Sequence, residues 1–187
     1  LACVGHRERT SGHVGWNCAG DVDREGVVHI SRLNNAVLFV SDLDRASAFY
    51  TEVLGFAVIA EEPRANARFL RSSGSDNHHD LGLFGLGPDA TRPATRSLGL
   101  YHLAWQVPTI DDLAEARSYL GAAGALTGQS SHGATKSVYG VDPDGNEFEI
   151  MWLLPRNAWG DYESKAVVEA LDLDAEIARW SGVETYT

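Results

Sequence analysis

The side chains able to do chemistry fall in few places along this chain. Seven histidines occur. His6, His13 and His29 precede the first segment with a clear strand period; His78, His79, His102 and His132 follow it. Alternation alone assigns two titratable groups to strand faces. Along 101–107, His102 shares a face with Ala104 and Gln106, while Leu103, Trp105 and Val107 form an apolar face suited to covering a helix. Along 147–153, Glu147, Glu149 and Met151 share one face, and Phe148, Ile150 and Trp152 the other. A carboxylate held mid-strand among apolar neighbours is costly unless something compensates its charge. A metal ion or a cationic partner would account for Glu149; an exposed sheet face would make it harmless. Periodicity leaves both readings open. Cys3, His6, His13 and Cys18 are residue types that zinc uses, but their spacing fits no finger pattern and their flanks offer no core.

The elements that must carry these groups read clearly from residue 33 onward. Asn35, Val37 and Phe39 alternate with Ala36, Leu38 and Val40 as a strand. Ser41 or Asp42 offers an N-cap, and Ala46, Phe49, Tyr50, Val53 and Leu54 follow at helical spacing up to Gly55. Phe56–Glu61, Ala67–Arg71 and Asp80–Phe84 read as three further strands. The order then recurs: a strand over 101–107, a helix over 110–120 with Thr109 as its cap, and strands near 125–127, 136–141 and 147–153. Asp142-Pro-Asp-Gly-Asn146 forms a tight turn before the last strand. Asp42-Leu43 and Asp112-Leu113 open the two helices alike. The chain is therefore expected to hold an internal duplication, joined by the Pro-, Thr- and Arg-rich linker 87–97. Residues 1–28 read as a loose leader. In the tail, Leu173, Ile177 and Trp180 are spaced for a short amphipathic helix over 174–180 that packs on the domain or on a second subunit.

Composition narrows the function classes. The chain has 187 residues, 44% of them apolar, enough for one domain with appendages. A net charge of −11 opposes binding to nucleic-acid phosphates or to an anionic membrane surface. No apolar run approaches the roughly 20 residues of a membrane-spanning helix, and no N-terminal stretch would serve as a secretory signal. The 2 cysteines both lie in the leader. No disulfide framework is expected, and a cytoplasmic location is.

Three segments carry a family resemblance. Leu33–Phe56, LNNAVLFVSDLDRASAFYTEVLGF, resembles the opening of a vicinal oxygen chelate module. YHLAWQV at 101–107 resembles the opening of a second, and SVYGVDPDGNEFE at 137–149 is similar to the closing strand with its turn. The superfamily includes glyoxalases, bleomycin-resistance proteins and extradiol dioxygenases, and the similarity is greatest to the catechol 2,3-dioxygenase-like branch. It implies an α+β fold of two tandem βαβββ modules, a curled mixed sheet around a central cavity, plus the C-terminal helical tail. The domain would span 29–154, module one about 30–87 and module two about 98–154, with 155–187 an extension.

The resemblance also implies a site. His102 and Glu149 would be metal ligands, for Fe(II) or else Mn(II), with no organic cofactor. His79 matches the acid–base histidine, and His132 and Tyr139 the groups that contact substrate. The family's first metal histidine falls seven residues before the Asp that opens helix one; here that residue is Asn35. An amide oxygen ligates iron less well than imidazole. The implied activity is extradiol ring cleavage of a catechol-like aromatic with dioxygen, in a possible homodimer. The alternatives are a non-catalytic binding protein of the bleomycin-resistance kind and a glyoxalase-like lyase or isomerase. No carboxylate closes module one, where glyoxalase I has a ligand; the strand there ends Leu81-Gly-Leu-Phe-Gly85.

Overall fold

The computed structural model describes residues 3–7, 14–18, 28, 30–94 and 97–185. The chain divides into two units, Leu1–Leu33 and Asn34–Thr187. In the first, β1 (Cys3–Arg7) pairs antiparallel with β2 (Val14–Cys18), with Cys3 opposite Cys18. Sequence periodicity predicts a loose leader there. Backbone pairing in a two-stranded hairpin needs no apolar period, so the pattern gives no signal of it. His13 and His29 lie outside the described residues.

The second unit holds the duplication. Module one runs β3 (Ala36–Val40), α1 (Leu43–Glu52), β4 (Ala57–Glu62), β5 (Ala67–Arg71) and β6 (Leu81–Gly85). Module two runs β7 (Leu103–Gln106), α2 (Ile110–Ala122), β8 (Leu126–Ser131), β9 (Thr135–Val141) and β10 (Glu147–Leu153). The sheet orders are β3-β6-β5-β4 and β7-β10-β9-β8. In each, the first strand lies parallel to the last and the remaining pairs are antiparallel. The architecture is the α+β pair of βαβββ modules that the resemblance implies.

Local chemistry sets the helix ends. The Asp42 carboxylate accepts from the Arg45 N–H at 3.0 Å and caps α1. Thr109 and Asp112 form a reciprocal capping box on α2. Gly55, at φ +71°, turns the chain out of α1 in a conformation that a side chain would strain.

Each helix covers one face of its sheet. Ala46 and Tyr50 of α1 are buried with Leu38, Val40, Leu70, Leu81 and Leu83. Ile110, Leu113 and Leu120 of α2 are buried with Val138, Phe148, Ile150 and Trp152. Phe49 packs against both cores, so α1 belongs to both modules. The other face of module one carries Val37, Phe39, Phe69 and Phe84, with Phe39 and Phe84 edge to face at 6.4 Å. After short 3-10 turns near 156–163, the chain returns to module two, where Leu171 and then Leu173 of α3 (Leu173–Trp180) are buried in the core. Among the described residues no helix is long and apolar enough to cross a membrane.

Two boundaries matter for the site. β7 begins at Leu103, one residue after His102 rather than before it. β8 extends through Ser131, beyond the short strand near 125–127 that the sequence suggests. Its polar residues have no apolar alternation. They are held as a strand by β9, with Ser130 opposite Ser137 and Ser131 opposite Lys136.

Candidate active site

On the face of module two turned away from α2, β10 lies between β7 and β9. Glu149 is therefore flanked by Ala104 on one side and Tyr139 on the other. His102, just before β7, reaches over so that its Nε2 stands 3.0 Å from Glu149 Oε2. The Glu149 side chain is only 12% exposed, and the imidazole is the partner its charge requires. The His102 ring also meets the Tyr139 ring edge-on, with centroids 6.1 Å apart.

Beside this pair lies a second polar group. His132 Nε2 is 2.7 Å from the Tyr139 hydroxyl and 2.8 Å from Ser130 Oγ, and those two oxygens are 2.9 Å apart. His132 Nδ1 lies 3.1 Å from the Val167 carbonyl oxygen. The two groups share one cavity of about 690 Å³. Its apolar walls include Ala104, Met151, Tyr101 and Val168. That size and mixed lining suit a small, largely apolar ligand oriented by a few polar contacts.

The structure thus brings together four of the residues singled out in the sequence: His102, Glu149, His132 and Tyr139. Asn35 and His79 belong to module one and do not line this cavity. The Asn35 amide oxygen accepts from Asn34 Nδ2 at 3.3 Å. His79 stacks edge-on against Phe69 at 5.0 Å, and its Nδ1 lies 3.0 Å from that of His78. Trp105 and Trp152 take the helix side, as the alternation predicts.

Two donors, one imidazole nitrogen and one carboxylate oxygen, are available to a divalent ion. Ligands at right angles, each about 2.1 Å from one ion, stand about 3.0 Å apart, so the His102–Glu149 spacing fits two adjacent coordination positions. The donor types suit Fe(II) or Mn(II). Among the described residues no third His, Cys, Asp or Glu joins them.

Sequence reasoning missed two features. Ser130 completes the His132–Tyr139 group, but a serine in a polar run carries no periodic signal. The Asp142–Asn146 turn does more than reverse the chain. Asp142 accepts from the backbone N–H groups of Asp144 and Asn146 at 2.9 and 2.8 Å, and from the buried Tyr50 hydroxyl at 3.2 Å. Burial, and then the Asp142 carboxylate beside it, push the Tyr50 phenol far up. Asp144 accepts from Ser41 N–H and Oγ at 3.0 and 2.6 Å and pairs with Arg45 at 3.0 Å. Burial works against ionisation of Asp144, but the Ser41 bonds with the Arg45 and Arg92 charges outweigh it and hold the carboxyl below its usual range. The turn that aims β10 is thereby tied to the start of α1.

The model of the Glyoxalase/Bleomycin resistance protein/Dioxygenase superfamily matches residues 29–150. The chain belongs to that superfamily. It is 30% identical over 148 residues to the catechol-2,3-dioxygenase of Bacillus subtilis (strain 168), covering 78% of this chain and 50% of that protein. It is 36% identical over 123 residues to biphenyl-2,3-diol 1,2-dioxygenase 3 of Rhodococcus globerulus, covering 64% of this chain and 62% of that one. The chain spans only 50% and 62% of the length of these curated relatives. Among solved structures, a glyoxalase/dioxygenase from Nostoc punctiforme superposes with a TM-score of 0.55 at 20% identity, over 73% of this chain and 99% of its own. The fosfomycin resistance protein FosX of Listeria monocytogenes gives 0.52 at 21%, over 66% and 94%. These two likenesses are of fold.

Proposed function

We propose that the chain opens the ring of a catechol-like dihydroxy aromatic with dioxygen, in an extradiol reaction that depends on a divalent metal, Fe(II) or Mn(II). The carbon–carbon bond beside the diol breaks, and both atoms of dioxygen enter the product. The observation that carries this reading is the convergence of His102–Glu149 and His132–Tyr139 on one cavity. The diol dioxygenases among its relatives support the substrate class.

His102 Nε2 and Glu149 Oε2 would hold the metal, whose chemistry when bound is electron exchange between diol and dioxygen. Ala104, Met151 and Val168 would orient the ring by apolar contact. The Tyr139 hydroxyl, backed by His132, would give and recover a proton at a substrate oxygen, the duty a positioned acid–base pair performs. His79, the acid–base candidate of module one, lies outside this cavity with its ring against Phe69, and would act only on a ligand that reaches that module. Asn35, the residue before β3, would be a third and weaker ligand, offered from module one outside the lining of this cavity.

One observation favours a second reading. His102 and Glu149 already satisfy each other at 3.0 Å, as they would in a metal-free cavity that sequesters a small molecule. Elemental analysis of protein purified without chelator separates the two. Near-stoichiometric iron or manganese, absent from His102→Ala, with oxygen uptake on adding catechol, is the expected result. Protein that takes up no Fe(II) anaerobically yet binds aromatics belongs to the second reading.

A further inference from the structure

One wall of the cavity comes from outside the duplicated modules. Beyond β10 the chain passes through the short turns at 156–163 and then runs along the free edge of β8 before entering α3. Ser131 and Glu169 exchange backbone hydrogen bonds, both at 2.9 Å, as an isolated antiparallel bridge. We propose that this strap, residues 165–171, is a working part of the site. Its Val167 carbonyl fixes His132 as the Nδ1–H tautomer, which makes Nε2 an acceptor for the hydroxyls of Tyr139 and Ser130, and its Val168 side chain limits which ligands fit.

The tautomer follows from what each atom can do. A carbonyl oxygen only accepts, so the 3.1 Å contact from His132 Nδ1 to Val167 O requires the proton on Nδ1. A neutral imidazole then has its lone pair on Nε2. Two hydroxyls stand within hydrogen-bond distance of that lone pair, Tyr139 at 2.7 Å and Ser130 at 2.8 Å, and they also bond to each other across 2.9 Å. Ser130 and Val167 are positioning residues: they act on the ligand through His132 and Tyr139.

The strap is anchored at both ends and bridged to Ser131 between them, and it leaves the Val168 side chain bare. Before it, the Tyr162 ring lies over Gly133, the residue after His132. A Cβ on Gly133 would strike that ring, and the φ of +75° suits only glycine. After it, Leu171 is buried in the core, and its carbonyl accepts from Gln129 Nε2 at 3.0 Å. Between these anchors Val168 is 78% exposed, yet it lines the cavity. It adds little to the core, and its position gives it a hold on what enters.

The choice of ligand rests on the function proposed above; the tautomer does not. Two measurements keep them apart. In the 15N-labelled full chain, freed of paramagnetic metal, the ring nitrogens of His132 are expected to show protonated Nδ1 and bare Nε2. Glu169→Pro deletes one N–H of the bridge and is expected to give a mixture of tautomers, with the unfolding midpoint nearly unchanged because Leu171 and α3 stay seated. Wild type with the proton on Nε2, or a folded Glu169→Pro variant identical to wild type, overturns the positioning role. If that variant does not fold, the wild-type tautomer decides. By titration calorimetry, Val168→Ala is expected to favour catechols substituted beside the diol over catechol by about tenfold, and Val168→Phe to do the reverse. Equal shifts for both ligands overturn the role of Val168. Absence of ring opening with the tautomer intact overturns the proposed function alone.

Discussion

Tyr139 stands directly across the strand pair from Glu149, so one side chain links the prospective metal ligands to the His132 group. Removing its hydroxyl while keeping its ring separates chemistry from packing. Tyr139→Phe is expected to lower catechol-dependent oxygen consumption by about 10²-fold or more while leaving metal content unchanged. One residue on, Gly140 has a purely steric role. A Cβ there would come within 2.6 Å of the Phe148 ring and 3.2 Å of the Ala125 carbonyl. Gly140→Ala is expected to cost about 1–3 kcal/mol of stability, read from urea unfolding, because the packed ring has no room to give.

At the scale of elements, the Asp142–Asn146 turn governs where β10 points. Asp144→Ala would strip the Ser41 N–H and hydroxyl of their acceptor, at a cost of about 1–3 kcal/mol. The same turn sets part of the acid response. At Asp80, as at Asp144, burial favours the neutral acid, but bonds from Ser75, the Ser72 N–H and Asn77 outweigh it and hold the carboxyl low. A carboxylate depressed in the folded state stabilises in full above the unfolded value of about 3.9 and stops doing so as pH falls through the folded value. Stability is therefore expected to drop below about pH 4, and less steeply in Asp144→Asn, as followed by thermal unfolding at stepped pH. The regular elements were legible because Leu113, Leu120, Phe148, Ile150 and Trp152 keep helix or strand periods. His102 and Glu149 were legible because alternation puts them on the face away from the helix. Ser130, Val167 and the Ser41–Asp144 tie were not: the first two act within polar or irregular backbone, and the last joins residues 103 apart in sequence. Local pattern holds no record of such pairings.

At the scale of the whole second unit, α1 and the tail bind what duplication alone would leave as two halves. Phe49 lies against Phe148 at 6.0 Å, and Phe56 against Trp105 at 5.3 Å, so aromatic contacts run from one module into the other. The tail adds Leu171 and Leu173 to module two. Leu173→Ala is expected to cost about 2–4 kcal/mol in chemical denaturation and to loosen the strap with it.

The parallel pairing of first and last strands also orders events during synthesis. A sheet in which β3 must meet β6 cannot close until the chain has been made as far as residue 85, and β7 waits for β10 until residue 153. Translation delivers roughly 5–20 residues per second. Module one thus has several seconds to assemble while its Trp105-facing aromatic surface stays uncovered, and the cavity comes into being only after most of the domain has left the ribosome.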